Sequence, residues 1–112
     1  MATTRRFSFR AVHSLQVGLH REKMHGHEYF LEVSFHSCER EAIERVVRER
    51  VLSRLHGHDL TKIIQPATGE VLVEWIHDQL AESDFAARMI GVVIQETRKN
   101  RFVSGRSDVR MV

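Results

Sequence analysis

Apolar and polar positions alternate from Arg6 to His13. Phe7, Phe9, Ala11 and His13 fall on one face, and Ser8, Arg10 and Val12 on the other. A period of two is that of a half-buried strand. A polar turn region, Ser14 to Met24, contains Gly18 and leads into a longer strand, His25 to His36. There His27, Tyr29, Leu31, Val33 and Phe35 share one face, while Glu28, Glu32, Ser34 and His36 share the other. One apolar and one wet face predict an antiparallel sheet packed on helices.

The period then changes. Ile43, Val46, Val47, Val51 and Leu55 recur at helical spacing, and Glu41–Arg45 and Glu44–Arg48 are i,i+4 pairs in the favourable order, which predicts a helix over Glu39–Leu55. His56 to Gln65 has no clear period. Beyond the only proline, Pro66, Thr68 is placed to cap a second helix running to Glu82, with Val71, Leu72, Trp75, Ile76 and Leu80 as its buried stripe. Met89–Thr97 returns to strand character, and Arg101–Ser104 is its partner in a hairpin turning at Lys99-Asn100. The expected order is β-β-α-α-β-β, an α+β domain spanning 1–112 with a four-stranded antiparallel sheet and two helices on one face.

Composition narrows the function. No apolar run approaches a membrane span, so no membrane partner is expected. The basic N-terminus, MATTRRFSF, has no apolar stretch behind it and does not read as a secretory leader. Cys38 is the only cysteine, which makes a cytoplasmic location the simplest expectation. The 17 basic and 15 acidic residues interleave, and only Arg98, Lys99, Arg101, Arg106 and Arg110 make a locally basic stretch, so nucleic acid is not an expected partner. What stands out is 8 histidines in 112 residues.

His25-Gly26-His27 is the sharpest motif. Residues two apart on a strand share a face, so both imidazoles can converge on one ion. His13 ends the first strand on its apolar face and joins them if the two strands pair antiparallel. Three neutral imidazoles suit zinc and leave a fourth position open. The bland alternative is a polar turn entering a strand. Glu96 closes the apolar face of the third strand, after Ile90, Val92 and Ile94. Either it lies past the packed region and reaches water, or it accepts two parallel hydrogen bonds from a flat N–C–N donor edge.

Four blocks, FSFRAVHSL, HGHEYFLEV, QPATGEVLVEWIHDQL and VVIQET, together resemble the 6-pyruvoyl-tetrahydropterin synthase and 6-carboxy-tetrahydropterin synthase family, in the family's order and over most of the chain. The resemblance implies the tunnelling fold, zinc held by His13, His25 and His27, and a pterin ring anchored by Glu96 and Thr97. It also implies a homo-oligomer, trimer or hexamer, with active sites between subunits; on physical grounds too, the edges of a four-stranded sheet need covering.

The family pattern breaks in three places. Its usual cysteine, in C-x-x-x-H-G-H, would fall at Arg21. One position later stands Glu22, giving E-x-x-H-G-H; a branch of the family with glutamate there cleaves the side chain of dihydroneopterin triphosphate. Glu22 is thus a general acid/base or one more loop charge. An Asp-His pair is also missing: Leu55-His56-Gly57-His58-Asp59 stands in its place, so His56 or His58 either assists proton transfer or is a loop histidine. The loop and strand residues that normally follow Phe35 are absent as well. Two functions remain: a zinc-dependent lyase acting on the side chain of dihydroneopterin triphosphate, or a non-catalytic zinc- and pterin-binding homologue. A purely structural zinc protein is disfavoured by Glu96.

Overall fold

The computed structural model describes residues 1–14, 16–17, 19–21, 23–96 and 100–104, with only the backbone of Gln16, Val17, His20, Arg21, His25 and Asn100. Glu22 and Thr97 lie outside the described residues. Four strands, β1 (Ala2–His13), β4 (His25–His36), β5 (Met89–Glu96) and β6 (Asn100–Val103), form one antiparallel sheet in the order β1-β4-β5-β6. The expected polar turn contains a short antiparallel pair, β2 (Gln16–Val17) and β3 (His20–Arg21), too brief to leave a periodic signal.

β1 begins four residues earlier than its alternation predicts, because Ala2 to Arg5 pair with His36 to Val33. Its inward row ends on polar residues at both ends. Arg5 reaches Glu44 at 3.8 Å, and His13 is buried. The outward row is a cross-strand ladder: Arg6 Nε donates to Glu32 at 2.7 Å, and Thr4 and Ser34 hydroxyls lie 2.7 Å apart.

Both helical stretches pack on the inward face, as the one-wet, one-apolar pattern predicts. The first is α1 (Arg40–Val47), a π-helical segment over Arg48–Leu52, and α2 (Ser53–Leu55). Its buried residues, Ile43, Val47, Val51 and Leu55, stand four apart. At 3.6 residues per turn such a stripe drifts around the axis, and the wider i→i+5 turn brings it back to the core. The second helix, α3 (Gly69–Ala81), packs over β5 and β6 and is capped as expected: the Val71 amide donates to Thr68 Oγ1 at 3.4 Å. Leu72, Val73, Ile76 and Leu80 are buried there, whereas Val71 and Trp75 are only partly covered.

The third strand departs from its simple alternation. Ser34 pairs with Gly91 and Phe35 with Met89, so β5 carries an extra residue, a bulge at Ile90. Ile90 is therefore exposed, while Met89 packs against the core and Val92 and Ile94 are fully buried. Among the described residues no helix is long and apolar enough to cross a membrane.

Gly69 opens α3 against β6, and a Cβ there would sit 1.9 Å from a ring carbon of Phe102. Helix propensity alone would make Gly69→Ala stabilising by about 1 kcal/mol. Overpacking predicts the opposite sign, a loss of about 1–3 kcal/mol in urea unfolding. A gain would show that Phe102 does not seat the helix start.

Candidate metal and ligand site

The register of the two long strands brings distant histidines to one end of the sheet. His13 pairs with His25 and Ala11 with His27. The His13 and His27 rings meet edge to face, with centroids 5.0 Å apart. The backbone of His25 stands directly across from His13, but its side chain lies outside what is described. On the other side of β4, Tyr29 pairs with Glu96 of β5. Glu96 thus continues the inward row of Val92 and Ile94 to the edge of the core, and its side chain is only 19% exposed.

The carboxylate does not run out to water. Glu96 Oε2 lies 3.1 Å from His27 Nε2 and 3.7 Å from His13 Nε2. Along the sequence Glu96 reads as remote from the histidines; strand order makes it their neighbour. An imidazole lone pair and a carboxylate oxygen at 3.1 Å repel unless a proton or a cation lies between them. One ligand atom from each of His13, His27 and Glu96 falls within 4.8 Å of the others.

His13 is oriented toward the cluster from behind. Its Nδ1 lies 2.9 Å from the carbonyl oxygen of Ala67. A carbonyl only accepts, so Nδ1 donates to it and Nε2 faces the cluster, the outer hydrogen bond typical of ligating histidines. The end of β1 is clamped as well: the Ser14 amide donates to Thr61 Oγ1 at 3.1 Å, and the Thr61 amide to Asp59 Oδ1 at 3.0 Å. By donor type and spacing, His13, His27 and Glu96 are a group that could hold a metal ion, and imidazole and carboxylate donors are of the kind zinc takes.

Sequence reasoning did not single out the Ala67 carbonyl or Tyr29. Ala67 lies inside a block that carries the family resemblance, but a backbone acceptor has no residue signature. Tyr29 stacks on Phe9 at 5.1 Å and meets the edge of His27 at 6.1 Å, walling the cluster from the core. Burial, and then the negative charge of Glu96, push its phenol well above the ordinary tyrosine range.

His56 and His58 sit elsewhere, in the turn that covers the outer edge of β1. The Arg10 amide donates to His56 Nδ1 at 3.2 Å, and the Val12 amide to the His58 carbonyl at 3.1 Å. His58 Nδ1 donates to the His56 carbonyl at 2.9 Å. Both side chains are exposed, and neither belongs to the His13–His27–Glu96 group.

Tyr29 is the only tyrosine, so its ionisation can be read directly. The folded phenol stays protonated at a pH where the unfolded one ionises, near 10.0. Its contribution to stability is complete below that pH and declines above it, by up to about 1.4 kcal/mol per pH unit. Folded protein at pH 11 should therefore lack the tyrosinate absorption band that appears on unfolding. A band already present in the folded protein would contradict the burial of this phenol beside Glu96.

The sequence matches no protein-family model and no curated protein, but the structure has clear relatives. It is similar to Caenorhabditis elegans 6-pyruvoyl tetrahydropterin synthase, with 19% identity, 96% of each chain covered and a TM-score of 0.82. It is also similar to the Plasmodium falciparum enzyme of that name, with 16% identity, 92% of this chain and 96% of that one covered and a TM-score of 0.68. A Plasmodium vivax counterpart in which a catalytic glutamate is replaced by alanine matches at 14% identity, over 93% of this chain and 97% of that one, with a TM-score of 0.69. The chain has the fold of the 6-pyruvoyl tetrahydropterin synthases.

Proposed function

We propose that this chain is a divergent member of the 6-pyruvoyl-tetrahydropterin synthase family, a zinc-dependent lyase acting on the side chain of dihydroneopterin triphosphate. The observation that carries the reading is the convergence of His13, His27 and Glu96 at one end of a sheet whose fold is that of pterin enzymes. His25, in register with His13 and two residues from His27, is the third imidazole of the proposed zinc site. When bound, zinc supplies Lewis acidity toward a side-chain hydroxyl or carbonyl.

The chain's own residues do the rest. The Ala67 carbonyl holds the His13 tautomer, and Tyr29 closes the site toward the core. Glu96 and Thr97 anchor the pterin ring, the carboxylate through paired hydrogen bonds from its N–C–N edge. Glu22 moves the proton. Two things support that role: its E-x-x-H-G-H spacing, and the description of a glutamate as a catalytic residue in the Plasmodium vivax relative. The outer edge of β6 and the part of the β1 edge before Arg10 favour a trimer or hexamer, and the lone cysteine favours a cytoplasmic home.

A second reading, a non-catalytic zinc- and pterin-binding protein, draws on the positions of His56 and His58. Their hydrogen bonds at the β1 edge account for them without proton transfer, and the usual cysteine is missing.

The deciding experiment is turnover of 7,8-dihydroneopterin triphosphate by zinc-loaded protein, with products identified by mass spectrometry. The lyase reading expects a side-chain cleavage product that falls at least about 100-fold in His27→Ala and in Glu22→Gln. Bound zinc and pterin with no product would sink the lyase and leave the binding protein.

A further inference from the structure

We propose that Glu96 has two alternative partners: without a pterin it is a ligand of the metal held by His13 and His27, and a bound pterin ring draws it away. The inference rests on the metal and pterin reading above and adds to it how the site opens.

The position of one oxygen carries the argument. Glu96 Oε2 stands 3.1 Å from His27 Nε2 and 3.7 Å from His13 Nε2. Two donors each about 2.0–2.1 Å from a tetrahedral zinc lie about 3.3 Å apart. The two distances straddle that spacing, so this carboxylate stands where a ligand of the same ion would stand. The strand delivers it there: Glu96 follows the buried Val92 and Ile94 on the inward face, and Tyr29 stands opposite it in register.

Two uses of this carboxylate then compete. A paired grip on a flat N–C–N edge needs both oxygens in the plane of the ring. Oε2 already stands 3.1 Å and 3.7 Å from the two imidazoles, so a ring edge and the imidazole cluster crowd the same oxygen. With His25 as the third imidazole, Glu96 makes a fourth protein ligand, the count of a closed structural site rather than an open catalytic one. Movement of Glu96 to the ring therefore opens the coordination position, and only when a ring is present to receive it. By linkage, a pterin weakens the metal by the factor by which the metal weakens the pterin. The recognised feature is the 2-amino-4-oxo edge of the ring; the side chain plays no part.

Cobalt(II) in place of zinc makes the change visible, because its d–d absorption responds to coordination. Co2+ affinity is measured by competition with a chelator, with and without unsubstituted pterin, which has no side chain to reach the ion. Wild-type protein should lose about 5-fold or more in Co2+ affinity when pterin binds, with a shifted absorption band. Glu96→Gln should bind Co2+ about 10-fold or more weakly without pterin, and pterin should no longer alter its spectrum. Far-ultraviolet circular dichroism checks that the variant is folded, and the wild-type comparison stands without it. Wild-type Co2+ affinity and spectrum indifferent to bound pterin would overturn the inference and leave the metal and pterin reading intact. So would a folded Glu96→Gln that binds Co2+ as tightly as wild type. Failure of wild-type protein to bind Co2+ or pterin at all overturns both.

Discussion

The register of β4 against its two neighbours is the constraint on which the site depends. Paired with β1 on one side and β5 on the other, this strand sets His27 beside Ala11 and Tyr29 beside Glu96. A slip of one residue would send every inward side chain of β4 to the wet face and take Tyr29, Leu31, Val33 and Phe35 out of the core. Those four residues are fully or almost fully buried, so the core holds the register and the register brings His13, His27 and Glu96 together. Packing and chemistry are here one arrangement.

The polar ends of the inward rows show how the fold tolerates buried charge. His13 is buried, yet its two ring nitrogens face a carbonyl on one side and a carboxylate on the other. Glu96 ends an otherwise apolar row and meets imidazoles rather than hydrocarbon. Nε2 of each imidazole and Oε2 of Glu96 face one another, an arrangement that is favourable when a proton or a cation lies between them. The same arrangement makes the cluster a centre that a cation can complete.

Much of this was legible in the sequence where periodicity speaks. The His25–His36 strand, the Thr68 cap and the gathering of His13 and His27 follow from alternation, helical spacing and antiparallel pairing. What the sequence hid has physical reasons. Strand order is not written in a local pattern, so periodicity alone did not place β5 beside β4 or Glu96 within reach of the histidines; only the family resemblance pointed that way. The Ile90 bulge and the π-helical segment are responses to packing, invisible to a fixed period. The Ala67 acceptor is a backbone atom. His56 and His58 stand where the resembling family has its Asp-His pair, and the hydrogen bonds they make are those of a turn docked on a strand edge.

The most direct test of the central claim, that this end of the sheet is a zinc site built from imidazoles, is X-ray absorption spectroscopy at the zinc edge on zinc-loaded protein, with the metal content measured alongside. The account predicts one zinc per chain, a first shell of nitrogen and oxygen at about 2.0–2.1 Å, and the multiple-scattering pattern of imidazole. A sulfur in the shell, which could come only from Cys38 or a methionine, would contradict it, as would zinc bound without imidazole scattering.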